Sequence, residues 1–316
     1  MKNPFSIYDF LGYLFPGFIF VCMVLYATDL DYWLEVYKEM VKCDKLDDHI
    51  ILLLLVFLIV VSYIIGHIIS YLSFVFIESF TNKVFKYPSY YLMNQKTYTF
   101  RNLWKRFWDT KGAKSSNDKW RKIKNAFRIV LKLCIFVVLL PITFSVYTFG
   151  YLFDINNFIT RPLDTVIIDI IKEKIKELEK TLNVKIGFPP VDEKECDFHR
   201  IIMHYVYVNV PNCQQKVNNY IALYGFLRCM TFLMCILFDY LLFQSMKTID
   251  FSAQFDKLLV TSLIVSFCVA YVLYLGFVKF YRRNTLEDFM TLVVDVNLHK
   301  EEKSLLKRIQ ETLGTK

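Results

Sequence analysis

Glycine and proline are scarce in this chain, with 9 and 8 among 316 residues. That scarcity excludes collagen-like repeats and low-complexity Pro/Gly sequence. Charge is thin as well: 22% of residues are Asp, Glu, Lys or Arg, against 55% hydrophobic and 17% aromatic. A disordered chain is excluded, because such chains lack the apolar residues seen here. Eight cysteines over this length also exclude a small disulfide-stapled secreted domain. Catalytic signatures are missing too. There is no Walker A sequence, dinucleotide glycine fingerprint, HExxH or GxSxG. The chain does not read as an enzyme, and no cofactor is expected.

What is present is apolar sequence in long blocks, with a mean hydropathy of +0.35. Five stretches have the roughly 20 apolar residues that a helix needs to cross a hydrocarbon core. They are Leu11–Thr28, Ile50–Phe80, Ile129–Phe153, Tyr220–Ser245 and Leu258–Phe280. The fold class expected is all-α, a polytopic membrane helix bundle with four to five embedded helices plus amphipathic helical loops. Ser6 and Asp9 are placed to cap the first segment. Only Lys2 precedes that segment as a basic n-region, and no small-residue cleavage site follows, so it is expected to remain as an anchor rather than leave as a signal peptide. The second is longer than one span and must tilt or project. The third contains Pro141.

Charge orients the chain. Residues 81–128 carry 13 Lys/Arg and only Asp109 and Asp118, a net of +11 in a protein of net +8. Seven acids between the first two segments face only Lys38, Lys42 and Lys45. The basic loop and the N-terminus are therefore expected in the cytoplasm and the acidic loop outside. Three simple crossings after the basic loop would put the tail outside, yet Lys279, Arg282 and Arg283 end the fifth segment. Either the tail is external, or the third segment is re-entrant and broken near Pro141, which is tolerated when such a break is buried in protein. The second arrangement is favoured; it makes residues 154–219 and 282–316 cytoplasmic. The domains expected are a hairpin at 1–80, the basic loop at 81–128, a hydrophobic segment at 129–153, a helical region at 154–219, a second hairpin at 220–281 and a helical tail at 282–316.

In the basic loop, Phe100, Leu103, Trp104, Phe107 and Trp108 share a helical face opposite Arg101, Lys105 and Arg106. That pattern describes a helix in an anionic headgroup layer. Nucleic-acid binding is the alternative, and the tether beside two membrane segments weighs against it. Trp120, Ile123 and Phe127 repeat the pattern. Thr160 and Pro162 are expected to start a helix over 160–182, with Leu163, Ile167, Ile170, Ile171, Ile175, Leu178 and Leu182 as its stripe. This stripe packs on its own protein or forms an oligomer seam. After Asn284, short helices are expected with Leu305, Leu306, Ile309 and Leu313 on one face. Cys196 and Cys213 flank His199 and His204, but a five-residue His spacing does not align the rings for zinc. A Cys196–Cys213 disulfide is expected if the region is external, and free thiols if it is cytoplasmic.

Inside the second segment, Ser62, Gly66 and Ser70 recur every four residues, as do Ser262, Ser266 and Ala270 in the fifth. These small-residue faces suit close helix packing, and the second and fifth helices are candidates for each other. Tyr63, His67 and Tyr71 form a polar aromatic stripe alongside. The fourth segment holds Arg228 and Asp239, each costing about 2.5–3.5 kcal/mol in a spanning helix. They share a face but stand about 16 Å apart. Their alternatives are to snorkel to opposite headgroup layers, to pair with His67, Glu78, Lys132 or a tyrosine, or to serve conduction.

The stretches Tyr8–Gly17, Ser62–Ser70 with its Tyr-x-x-Gly-His core, and Tyr224–Arg228 together resemble a group of poorly characterised bacterial inner-membrane proteins. Some of that group sit beside antiphage defence genes. The resemblance implies a bacterial inner membrane and directs attention to His67 and Arg228; the third hydrophobic segment is an addition to the usual pattern. The function expected is an oligomeric effector that forms a channel or perturbs the membrane. A non-conducting sensor or scaffold recruiting a soluble partner is the alternative. A transporter fits less well, because no internal repeat is present.

Overall fold

The computed structural model describes residues 9–28, 32, 35, 48–93, 105, 107–108, 118–183, 198–248 and 257–295. Among these the ordered elements are helical and no strand occurs. In chain order they are α1 (Phe15–Ala27), entered through a π-helical turn at Phe10–Leu14, and α2 (Asp48–Ser73). A second π-helical turn, Phe74–Glu78, joins α2 to α3 (Ser79–Val84), followed by α4 (Pro88–Met93), α5 (Asp118–Val138) and α6 (Leu140–Tyr147). Then come α7 (Phe149–Leu152), α8 (Ile155–Ile159), α9 (Thr165–Leu182), α10 (Phe198–Asn209), α11 (Pro211–Thr248) and α12 (Lys257–Val294).

Four stretches are helical, long and apolar enough to cross a membrane: Phe10–Ala27, Leu52–Met93, Cys213–Lys247 and Lys257–Val294. A fifth exists if the bent pair Ile123–Val138 and Leu140–Leu152 counts as one span. Their surfaces are those of a membrane protein. Every residue from Leu52 to Val60 is exposed, as are Ile123, Phe127, Val130, Leu133 and Val137 of α5, whereas Lys132 of α5 is buried. Water does not tolerate continuous apolar surface of this extent; lipid does. The most buried of the four is the Cys213–Lys247 helix, with 44% of its most apolar window inside against 17% for each of the others. The central helix is thus the one that carries Arg228 and Asp239.

The chain divides into two compact units. Unit 1 comprises Met1–Val84, Tyr98–Asn156 and Ile221–Phe280; unit 2 comprises Phe85–Thr97, Asn157–Tyr220 and Tyr281–Lys316. In unit 1 the third hydrophobic segment breaks at Leu139, where the axis turns by 89° and Pro141 enters the first turn of α6. Proline has no N–H to continue the preceding ladder. Thr143 replaces part of what is lost by donating its hydroxyl to the carbonyls of Phe136 (3.4 Å) and Leu140 (3.2 Å). Asp154 then takes φ 56° and Asn156 donates to the Val146 carbonyl at 3.0 Å, closing the segment. Phe267 of α12 packs against Phe144 and Phe149 on one side and Phe238 of α11 on the other.

Unit 2 departs from the expected helix limits in two places. The helix expected from Thr160 begins at Thr165, after an extended stretch in which the Leu163 N–H bonds the Leu92 carbonyl at 2.9 Å. Its buried face is Ile168, Ile171, Lys174, Ile175 and Leu178, so Ile170 and Leu182 of the expected stripe are exposed. Asn183 ends it in the left-handed region at φ 52°, a residue suited to that position. Among the described residues no separate short helix begins just after Asn284. α12 continues unbroken to Val294, there being no Gly or Pro from Tyr281 to Val294 to end it. Leu305, Leu306, Ile309 and Leu313 lie outside the described residues.

Candidate functional site

Glu78 ends the second π-helical turn, and its placement depends on that turn. In an α-helix, residues five apart diverge by about 140°; the i→i+5 ring of a π turn brings them to one side. Ser73 and Glu78 therefore both meet Arg228 of α11. Nη1 of Arg228 donates to Oε2 of Glu78, and Nε donates to Oγ of Ser73 at 3.2 Å. The Phe74 ring lies 5.7 Å from the guanidinium carbon, a cation–π distance. Both charged side chains are largely buried, at 12% and 13% exposure. The pair answers the question of Arg228's partner; Asp239 does not bridge to it.

Ser73 is the hub. Its hydroxyl donates to the Ser70 carbonyl at 2.8 Å and lies 3.5 Å from the Cys229 thiol, which in turn donates to the Gly12 carbonyl at 3.9 Å. Gly12 sits inside the first π-helical turn. Two wide turns thus flank the arginine, and such turns are frequent at functional sites. Phe15 packs edge-on against Phe226 at 5.8 Å. The described part of the first stretch, residues 9–17, and the stretches Ser62–Ser70 and Tyr224–Arg228, separate in sequence, accordingly meet in unit 1.

The small-residue face of α2 meets α1 rather than the fifth segment. A Cβ added to Gly17 would fall 1.8 Å from the Ser62 carbonyl oxygen, and one on Gly66 would fall 1.9 Å from the Tyr13 oxygen. Glycine is obligatory at both crossings because backbone lies against backbone. Ser266 and Ala270 are buried. Ser262 and Ser266 line an apolar groove with α1 residues Ile19 and Met23 and α11 residues Met234 and Leu237. Tyr13 stacks on His67 at 3.8 Å between centroids, and Tyr63 meets the same imidazole edge-on at 4.7 Å. His67 is nevertheless exposed, and Tyr71 is 67% exposed.

Asp239 is next to Tyr240, whose hydroxyl bonds the Ala27 carbonyl at 3.3 Å, level with the end of α1. In the basic loop, Lys105 is exposed, while Phe107 is fully buried against Phe80 at 5.6 Å and Trp108 meets Phe136 at 6.4 Å. Phe107 is therefore seated on protein, and half-buried Trp108 rests partly on it, with Phe80 and Phe136 offering an apolar bed. Arg101, Trp104 and Arg106 lie outside the described residues, as does Cys196. Cys213 is buried, with its sulfur 3.1 Å from the Thr291 hydroxyl.

Unit 2 holds a polar cluster that periodicity did not reveal. His199 and Asp288 approach to 3.0 Å, Tyr205 donates to Asp295 at 2.9 Å, and Lys216 pairs with Glu287 at 2.6 Å. Phe198 stacks parallel to Phe289 beside them. The signal was an i, i+4, i+11 polar spacing of Asn284, Asp288 and Asp295 at the start of the expected helical tail. Among the described residues no three His, Cys, Asp or Glu side chains converge as metal ligands. Compared with family models, curated proteins and solved structures, the chain matches none.

Proposed function

We propose that this chain is an oligomeric effector of the bacterial inner membrane, opening a leak across the bilayer and held at rest by the Arg228–Glu78 pair. The ion pair carries the reading. Replacing such a pair by apolar residues is often neutral or stabilising, so its presence beside a π-helical turn suits a switch better than a brace. Exposed His67 and Tyr71 on α2 suit a seam between copies, since hydrocarbon offers them no hydrogen-bond partner. The resemblance to proteins beside defence genes extends the reading to antiphage defence.

Packing within unit 2 supports a topology. The described residues 85–93, 157–183, 198–220 and 281–295 fall in one compact unit, which supports a reading in which they share one side of the bilayer. Residues 85–97 lie within the basic stretch 81–128, which the positive-inside rule assigns to the cytoplasm. Four spans and a re-entrant third segment follow, with both termini inside and unit 2 as the receiving part. Glu173→Cys on the exposed face of α9, introduced with the native cysteines replaced because Cys43 lies in the external acidic loop, is expected to react with an impermeant maleimide only after permeabilisation. Reaction in intact cells would overturn this topology.

The functional test is ion leakage in cells expressing the wild type or Arg228→Ala, with insertion checked by membrane fractionation. At equal membrane levels the variant is expected to change potassium efflux and membrane potential at least tenfold. Wild-type leakage from it would sink the effector reading. A soluble protein co-purifying with the wild type, with no potential change on expression, would favour the recruiting scaffold.

A further inference from the structure

Within unit 2, α12 presents Asn284 and Asp288 one turn apart, both buried, and Asp288 is only 1% exposed. Neither oxygen of the Asp288 carboxylate has a hydrogen-bond partner, nor does Oδ1 of Asn284 or Nε2 of His199. Yet His199 Nε2 and Asp288 Oδ2 are 3.0 Å apart. They touch without the alignment of an N–H···O bond. Four unsatisfied atoms, on Asp288, on His199 beside it and on Asn284 one turn away on the same helix, depart from the rule that buried polar groups are paired.

A buried carboxylate also needs a neutralising charge. His199 can supply it only when protonated; Lys216 pairs with Glu287, and Arg282 donates through Nη2 to the Arg161 carbonyl, its Nε having no partner. We propose that His199, Asp288 and Asn284 bind one divalent transition cation of the manganese type. The spacing admits it: two bonds of about 2.1 Å at right angles put their ligand atoms about 3.0 Å apart. One imidazole with carboxylate and amide oxygens suits Mn²⁺, with water completing the shell. Binding would tie α10 to the end of α12. Zinc at Cys196, His199, Cys213 and His204 is a different set; here the third ligand is an amide. This site stands apart from the effector reading and its test uses no leakage measurement.

The experiment is titration of chelator-stripped full-length protein in nanodiscs with Mn²⁺, following the free ion by electron paramagnetic resonance. One saturable equivalent is expected. Asp288→Asn and His199→Gln should weaken it at least tenfold, and Asp295→Asn, whose carboxylate is held by Tyr205, should not. The wild-type complex should show ¹⁴N hyperfine coupling from one imidazole. No saturable site, unchanged binding in Asp288→Asn and His199→Gln, or a bound spectrum lacking nitrogen would each overturn the assignment. The wild-type spectrum decides even where a variant fails to fold.

Discussion

Arg228→Ala is expected to destabilise the protein by about 3–5 kcal/mol, because it strands the Glu78 carboxylate in a largely dehydrated place. The same logic makes the double variant Arg228→Met/Glu78→Met milder than either single change, since a packed apolar pair needs no counter-charge. Unfolding in mixed micelles, arranged as a double-mutant cycle, reads the coupling directly. A double-variant loss equal to the sum of the two single losses would mean that the two side chains act independently. Ser73 moderates the effect: it donates to the Ser70 carbonyl whether or not the arginine is there.

A larger loss is expected at Gly17 and Gly66, where even alanine has no room. A Cβ within 2 Å of a backbone oxygen cannot be relieved by a rotamer change, so α1 and α2 must separate. Gly17→Ala and Gly66→Ala should each cost more than about 4 kcal/mol, the range of severe overpacking. Gly12 and Gly225 are the controls, with nothing within 4 Å of an added Cβ. Alanine there should be neutral or stabilise by about 0.5–1 kcal/mol, the helix penalty of glycine being removed. Thermal aggregation of the purified variants separates the two classes. Similar losses at all four positions would refute close backbone contact as the cause.

These sites differ in how far sequence exposes them. Apolar run length marked the spans, and the small-xxx-small spacing of Ser62, Gly66 and Ser70 marked a contact face. The spacing says nothing about which helix fills that face, because Gly17 belongs to no comparable repeat. Glu78 was visible as a candidate partner for Arg228, being an acid at the end of an apolar run. The π-helical turn that aims it was not, since Phe74–Glu78 contains no residue type peculiar to such turns. Asp288 was missed for a related reason. On a surface helix a polar residue beside Arg283 and Glu287 reads as solvated, and only the packing of α12 on α10, with His199 on Asp288 and Phe198 on Phe289, makes it buried. Pro141 marked the break in the third segment, whereas the size of the bend comes from tertiary packing.

The Arg228–Glu78 pair also bears on how the protein is made. Their 150-residue separation corresponds to about 8–30 s of synthesis at typical elongation rates of about 5–20 residues per second. Glu78 leaves the ribosome first, at the end of a helix apolar enough to insert unaided. When Arg228 arrives, its counter-charge is already in the membrane. The hydrophobic penalty of the arginine is thus met by a partner delivered earlier, and the central helix joins a bundle prepared to receive it. Reversing the order of the two hairpins in the gene would keep every contact of the finished protein and remove that preparation.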